Sequence, residues 1–144
     1  MPNIRHAITI DAPPKQVHPL VSSGQGFSQW WAEDVDKDSF SGVVELGFFS
    51  RATVYRLQLV GNMAPTHAEW LCQSGTEWQN TKLVFELAES KNGTLLRFAH
   101  ADWQDETDYF ISCNTTWGEL MFRLKAAAEG KKPGPLFNRN GMAY

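Results

Sequence analysis

The sequence predicts a single α+β domain in which a curved antiparallel sheet of about six strands wraps around one long C-terminal helix. Three observations lead to this fold class. Residues 4–10 alternate between apolar and polar positions, residues 43–100 form short alternating runs separated by turn residues, and residues 110–128 repeat apolar side chains in steps of three and four. This order, with two short helices after the first strand, is a helix-grip arrangement.

The N-terminal segment predicts a strand followed by two short helices. Ile4, His6, Ile8 and Ile10 share one face of a strand that ends at residues 11–14. Pro14 suits the first turn of a helix, whereas Pro19 inside that helix removes a backbone donor. We therefore expect a short or kinked helix that ends near residues 23–24. A further helical turn is predicted over residues 26–31, and residues 33–38 are predicted to form a solvated acidic loop.

Five further strands are predicted in the middle of the chain, over residues 43–49, 52–60, 67–73, 81–88 and 94–101. Residues 91–94 give the strongest turn signal, because Asn92-Gly93 readily supplies the positive φ angles of a tight hairpin. The register of that hairpin places two sets of side chains on one side of the sheet. These are Leu83, Phe85 and Leu87 on the first strand, and Leu96, Phe98 and His100 on the second.

A long amphipathic helix is predicted to begin at residues 105–108, where acidic and capping side chains suit a helix N-terminus. Gly130 ends the helix, and Glu119 and Arg123 are expected to form an exposed ion pair. Residues 1–135 are predicted to form the domain, and residues 136–144 a tail that either docks or stays mobile. The apolar stripe of the helix consists of Phe110, Cys113, Trp117, Leu120, Met121, Leu124 and Ala128.

Composition excludes several classes of protein. The 13 Lys and Arg residues against 16 Asp and Glu residues give a net charge of −3, which offers no footprint for nucleic acid. We find neither a signal segment nor an apolar run long enough to span a membrane, so we expect a cytoplasmic protein. Cys72 and Cys113 lack the spacing of a redox or metal motif and are expected to be small buried side chains.

Short motifs along residues 3–135 together resemble the START-like (SRPBCC, Bet v 1-like) superfamily. More narrowly, they resemble its branch of homologues of the activator of the 90-kDa heat-shock protein ATPase. Pro19 and the tail after Pro135 lie outside the pattern. The motifs are Ile10-Asp11-Ala12-Pro13, Trp30-Trp31, Gly75-Thr76-Glu77-Trp78 with Thr81, Phe85-Glu86-Leu87, Gly93-Thr94, Phe98-Ala99-His100 with Trp103, and Trp117 with Leu120, Leu124 and Gly130.

The resemblance implies a hollow between the sheet and the long helix, which members of the superfamily use for lipids, sterols, polyketides and other apolar molecules. The six Trp and nine Phe residues of the chain suit such a hollow. The alternative is that these rings only fill the core, which is favoured for Phe85 and Phe98. Alternation and helical phase select as lining candidates Tyr55, Trp70, Phe85, Phe98, His100, Cys113, Trp117 and Met121.

The sequence gives only a weak indication of catalytic activity. His100 and Asp102 are the only pair compatible with acid/base work, and a histidine that is hydrogen-bonded at the sheet end is the favoured interpretation. We expect His100 to reach the mouth of the hollow, and we assign no catalytic residue, metal or cofactor. Binding of an apolar or aromatic small molecule is the favoured function. A cyclase-like or hydrolase-like enzyme, and an interaction module that contacts a chaperone, are the alternatives, and a homodimer is compatible with each.

Overall fold

The computed structural model describes residues 1–38, 42–139 and 141–142, and the side chains of residues 37 and 38 lie outside the description. The predicted strands and helices occur in the predicted order, together with three strands that the sequence did not predict. The elements are β1 (Ile4–Ile10), α1 (Pro14–Val21), α2 (Gly24–Phe27), β2 (Asp34–Asp38), β3 (Val43–Phe48), β4 (Thr53–Met63), β5 (His67–Cys72), β6 (Lys82–Ser90), β7 (Gly93–Ala101), α3 (Asp108–Ala128), β8 (Phe137–Asn138) and β9 (Gly141–Met142).

Strands β1 to β7 form one antiparallel sheet in the order β1-β7-β6-β5-β4-β3-β2. The sheet curves around α3, whose buried face packs against it, so the predicted helix-grip fold is confirmed. The predicted register of the β6–β7 hairpin is confirmed as well. Cross-strand partners on its buried face are Leu83 with His100, Phe85 with Phe98, and Leu87 with Leu96.

The sheet has seven strands rather than about six, because the segment predicted as an acidic loop forms β2. This strand pairs with β3 at the edge of the sheet, from Asp34 opposite Gly47 to Asp38 opposite Val43. Arg51 donates two hydrogen bonds of 3.1 Å to the carboxylate of Asp34 and holds the start of the strand. Charged residues are common on edge strands, where they discourage pairing with other chains. The run of acidic residues was therefore wrongly assigned to a loop.

The β6–β7 hairpin has a different turn from the one predicted. Ser90 pairs directly with Gly93, so the loop consists of Lys91 and Asn92 alone, and neither Asn92 nor Gly93 has a positive φ. Gly93 is needed for another reason. A Cβ atom there would lie 2.1 Å from the carbonyl oxygen of Ile10, so the close approach of β1 requires glycine.

The two helices after β1 are short, as predicted. Pro14 occupies the first turn of α1, which contains Pro19 and ends at Val21. The second helix begins at Gly24, two residues earlier than expected, because Ser23 caps it: its hydroxyl accepts a 3.0 Å hydrogen bond from the Gly26 amide. The chain then turns at Trp30 and Trp31 into the core.

Helix α3 confirms the predicted start and the predicted apolar stripe. The Thr107 hydroxyl accepts a 3.2 Å hydrogen bond from the Phe110 amide, and the seven predicted stripe residues are all buried. The exposed ion pair that was predicted between Glu119 and Arg123 is confirmed only in part. Arg123 lies 3.9 Å from Glu119, but its side chain is largely buried and donates to the carbonyl oxygens of Pro133 and Gly134.

Of the two outcomes left open for the tail, the structure shows docking for residues 136–139. Leu136 is fully buried, and its amide donates to the carbonyl oxygen of Trp30 at 3.1 Å. Phe137 continues the contact through a 2.9 Å hydrogen bond from its amide to the Trp31 carbonyl, and it pairs with Met142 between β8 and β9. Residues 140, 143 and 144 lie outside the described residues, and a domain boundary at residue 135 stays a prediction.

Two further sequence expectations concern the cysteines and the membrane. Cys72 and Cys113 are both free thiols inside the core, as expected. Within the described ranges, no helix combines the length and apolar character needed to cross a membrane.

Candidate functional site

A cavity of about 280 Å³ lies between the N-terminal half of α3 and strands β3 and β4, where the docked tail covers one side. Eight of its fourteen lining residues are aromatic, and none of those described carries a charge. The lining residues are Trp31, Phe48, Phe49, Thr53, Tyr55, Trp78, Tyr109, Ser112, Cys113, Thr116, Trp117, Leu120, Phe137 and Met142.

Ring contacts hold the walls of the cavity. Tyr55 on β4 stacks on Trp78, with centroids 3.9 Å apart and planes 6° from parallel. Trp31 packs against Trp117 at 5.0 Å, and Phe137 of the tail meets Phe48 edge-on at the same distance. Stacked and edge-to-face rings are favourable arrangements that hold large side chains in fixed orientations. The cavity therefore has walls of interlocked rings rather than flexible aliphatic chains.

Polar atoms gather at one end of the cavity. The hydroxyls of Tyr55 and Tyr109 are hydrogen-bonded to each other, and the Cys113 thiol lies beside Tyr109 and Trp78. Burial is the main cause that raises the pKa of each of these two tyrosines and of Cys113 above its ordinary value. All three groups consequently stay protonated and uncharged near neutral pH.

The tyrosine pair also borders a second, more polar hollow of about 460 Å³. Thr53, Tyr55 and Tyr109 line both spaces, so they form the wall between them. Gly75 has a φ of +94°, and a Cβ atom there would lie 2.6 Å from the Tyr55 ring, so glycine is required for this ring position. The outer hollow is lined by Ala52, Thr53, Val54, Tyr55, Gly75, Thr76, Glu77 and Tyr109.

His100 lies deep in the core behind the cavity wall. Trp117 Nε1 donates to His100 Nδ1 at 3.1 Å, so the ring proton of the neutral imidazole is on Nε2. Nε2 then donates to Thr81 Oγ1 at 2.8 Å, and that hydroxyl donates to the Trp78 carbonyl oxygen at 2.5 Å. Burial lowers the pKa of His100 to about 3. The histidine is therefore a neutral, fully hydrogen-bonded core residue.

The pair of His100 and Asp102 is not formed. His100 is completely buried at the end of β7, whereas Asp102 is exposed and has a φ of +69°, which breaks the alternation of the strand. The Asp102 amide donates instead to the side chain of Asn3 at 2.9 Å. The two side chains thus lie in different environments, and the favoured interpretation of His100 as a hydrogen-bonded core residue agrees with its contacts.

The structure brings three of the eight candidate residues to the cavity: Tyr55, Cys113 and Trp117. The other five are buried but lie outside its lining, so the expectation that they line the hollow, and that His100 reaches its mouth, needs correction. Alternation identifies the buried face of a sheet, but not which part of that face meets the hollow. These five residues are Trp70, Phe85, Phe98, His100 and Met121. Ligand contact by any of the eight stays a prediction.

Sequence reasoning missed several residues of the wall. Tyr109, Ser112 and Thr116 flank the apolar stripe of α3, so their helical phase relative to Cys113 was a usable signal. Trp31, Phe48 and Phe137 gave no such signal, because they reach the cavity through packing between distant parts of the chain.

No family model and no curated protein matches this chain. Solved structures do match. The Aha1 dimer from Colwellia psychrerythraea is 27% identical and superposes with a TM-score of 0.78 over 92% of this chain and 99% of that chain. DynU16, a protein of the dynemicin biosynthetic locus, is 14% identical with a TM-score of 0.75 over 95% of this chain and 51% of its own. CalU16 from Micromonospora echinospora, solved in solution, is 20% identical with a TM-score of 0.70 over 92% of this chain and 67% of its own. The resemblance to the START-like superfamily and its activator-homologue branch is thereby confirmed.

Proposed function

We propose that this chain, a START-like protein that resembles the Aha1-like branch, binds an apolar or aromatic small molecule between α3 and the sheet. The observation that carries the proposal is the cavity of about 280 Å³ with its aromatic wall. An apolar cavity of about 150 Å³ is enough to hold benzene, and natural ligand pockets begin at about 300 Å³. A ligand with one or two fused rings fits this space.

Binding is favoured over catalysis because the strongest acid/base candidate cannot reach a ligand. A general base must lie within hydrogen-bonding distance of the proton that it removes. Both ring nitrogens of His100 are already bonded, to Trp117 and Thr81, and the ring is completely buried. Its function is therefore to hold the cavity wall in place.

Native mass spectrometry of the freshly purified protein tests the proposal directly, because a bound small molecule adds its mass to the folded chain. A calorimetric titration with naphthalene then measures binding to the empty cavity. Thr116→Trp should abolish this binding, since Thr116 lines the cavity and the larger ring would occupy it.

The matched control is Thr115→Trp. Both threonines donate to a carbonyl oxygen four residues earlier in α3, but Thr115 is exposed and lies outside the cavity lining. It should bind naphthalene like the wild type. Equal binding by both variants, with unchanged circular dichroism, would place any ligand elsewhere and contradict the proposal.

We further propose that the chain forms a homodimer. The support is the similar Aha1 protein, which is a dimer, and the exposure of two large apolar side chains on one side of α3, Ile111 and Phe122. Light scattering coupled to size-exclusion chromatography should give twice the mass of the chain, and Phe122→Lys should shift it to the monomer. A monomer in the wild type at micromolar concentration would contradict this proposal. Contact with a chaperone stays the less favoured alternative.

A further inference from the structure

The polar end of the cavity has more hydrogen-bond donors than good acceptors. The hydroxyls of Tyr55 and Tyr109 bond to each other, which uses one of their two protons. The second proton remains available for another acceptor. Its polar neighbour is the Cys113 thiol, whose sulfur accepts hydrogen bonds only weakly.

A second hydrogen-bond donor, the indole of Trp78, lies beside the same Cys113 thiol. Trp78 Nε1 is buried and makes no hydrogen bond to an oxygen or nitrogen atom within the described residues, and the polar group beside it is again Cys113. Trp78 itself is only 5% exposed and lines the cavity. Buried donors in native proteins nearly always have a partner, and because Trp78 lines the cavity, its indole N–H is a donor that a ligand oxygen in the cavity can satisfy.

The charges of the side chains in and near the cavity wall restrict which ligands are compatible with the cavity. None of the described lining residues is charged, so an ionic ligand would lose its hydration without gaining a counter-ion. Glu77, in the outer hollow, raises the pKa of Tyr55 and Cys113 through its negative charge and would also repel an anion.

We propose that the ligand is an uncharged aromatic carbonyl compound of about two rings. Its oxygen lies beside Cys113 and accepts hydrogen bonds from the Trp78 indole and the Tyr55–Tyr109 pair. This inference rests on the proposed binding function and adds the chemical class of the ligand. The aromatic rings of the ligand fill the space between Trp31, Phe48 and Trp117.

Calorimetry with 1-tetralone and tetralin tests the inference, because the two molecules differ only at the carbonyl group. We expect 1-tetralone to bind about tenfold more tightly or better, as two neutral hydrogen bonds allow. The carbonyl stretch of bound 1-tetralone should move to lower frequency than in hexane, and the anion 1-naphthoate should bind more weakly than tetralin.

Substitutions test which side chains donate hydrogen bonds to the carbonyl oxygen of the ligand. Tyr109→Phe and Trp78→Phe should each lower the ratio of 1-tetralone affinity to tetralin affinity by about threefold and reverse part of the infrared shift, because each removes one of the two hydrogen bonds. Trp103→Phe is the control, since its indole N–H is also buried and unpaired but lies outside the cavity. If Trp78→Phe fails to fold, Tyr109→Phe decides the question alone.

The outcomes separate this inference from the proposed function. Equal affinity for tetralin and 1-tetralone overturns the inference and leaves binding intact. Tighter binding of 1-naphthoate than of either neutral molecule also overturns it. Failure of both neutral molecules to bind the ligand-free protein overturns the proposed function as well.

Discussion

Trp117 and His100 form a buried hydrogen bond of 3.1 Å in which the indole of α3 donates to the imidazole of β7. The same tryptophan lines the cavity, so the bond ties the cavity wall to the centre of the sheet. Because Nδ1 must carry a lone pair to accept this bond, protonation of His100 would break it. The stability of the fold is thereby coupled to the neutral form of one histidine.

The free energy of unfolding should fall as the pH drops below about 6.5. His100 has a pKa of about 3 in the folded chain, against 6.5 for an ordinary histidine, so between these values the unfolded chain binds a proton that the native chain does not. The expected limiting slope from this one group is about 1.4 kcal/mol per pH unit, ending near pH 3.

Urea denaturation of the wild type and of His100→Gln between pH 7 and pH 4 measures this contribution. Gln keeps an acceptor for Trp117 and a donor for Thr81 but does not titrate, and the other histidines are common to both chains. The wild type should therefore lose stability more steeply. Parallel curves would show that His100 is accessible to protons in the folded chain.

Removal of the Trp117 ring should be costly. The residue is 2% exposed and contacts the rings of Trp31 and Phe98, so Trp117→Ala should lower the free energy of unfolding by about 3–5 kcal/mol. Asn114→Ala, three residues earlier on the exposed side of α3, should not lower it, because Ala favours a helix more than Asn does. Similar losses in both variants by chemical denaturation would mean that the buried face of α3 is misplaced.

A gain in stability is expected at Gly118. This glycine lies in the middle of α3, where Gly costs about 0.5–1 kcal/mol relative to Ala. A Cβ atom there would lie 3.6 Å from the nearest atom of His6, which is an ordinary contact. Gly118→Ala should therefore raise the midpoint of thermal unfolding.

Gly93→Ala is the matched comparison and should lower that midpoint, because its Cβ atom would collide with the Ile10 carbonyl at 2.1 Å. A loss of stability in Gly118→Ala would show that α3 packs more closely on β1 than the described contacts imply.

The local sequence pattern correctly predicted the helices and strands in which apolar residues repeat along one face. The stripe of α3 from Phe110 to Ala128 and the alternation of β7 from Leu96 to His100 are set by burial on one side, and the structure confirms both. The edge strand β2 was not predicted, because its charged residues suit the edge of a sheet but give no alternating apolar pattern in the sequence. The hairpin was found from Asn92-Gly93, although the reason for Gly93 is contact with β1 rather than turn geometry.

The cavity was predictable only as a consequence of the fold. Tyr55, Cys113 and Trp117 were found because each lies on a buried face next to the hollow. Trp78 follows an irregular segment, and Phe137 follows the last helix, so no period marks either one. Their positions depend on contacts between residues far apart in sequence, which alternation and helical phase do not encode.

The docked tail should be part of the folding unit. Leu136 is completely buried, and two hydrogen bonds from the amides of Leu136 and Phe137 join the tail to Trp30 and Trp31. Leu136→Ala should therefore lower the free energy of unfolding by about 2–5 kcal/mol. Arg139→Ala, whose side chain is 71% exposed, should change it by less than about 0.5 kcal/mol.

A chain that ends at Pro135 tests the predicted boundary directly. It loses Leu136 and also Phe137 and Met142, which line the cavity, so it should be less stable than Leu136→Ala and should bind naphthalene more weakly than the wild type. Urea denaturation and calorimetry measure the two effects. Wild-type stability in the shortened chain would mean that residues 1–135 hold the core without the tail, because the burial of Leu136 would then contribute nothing to folding.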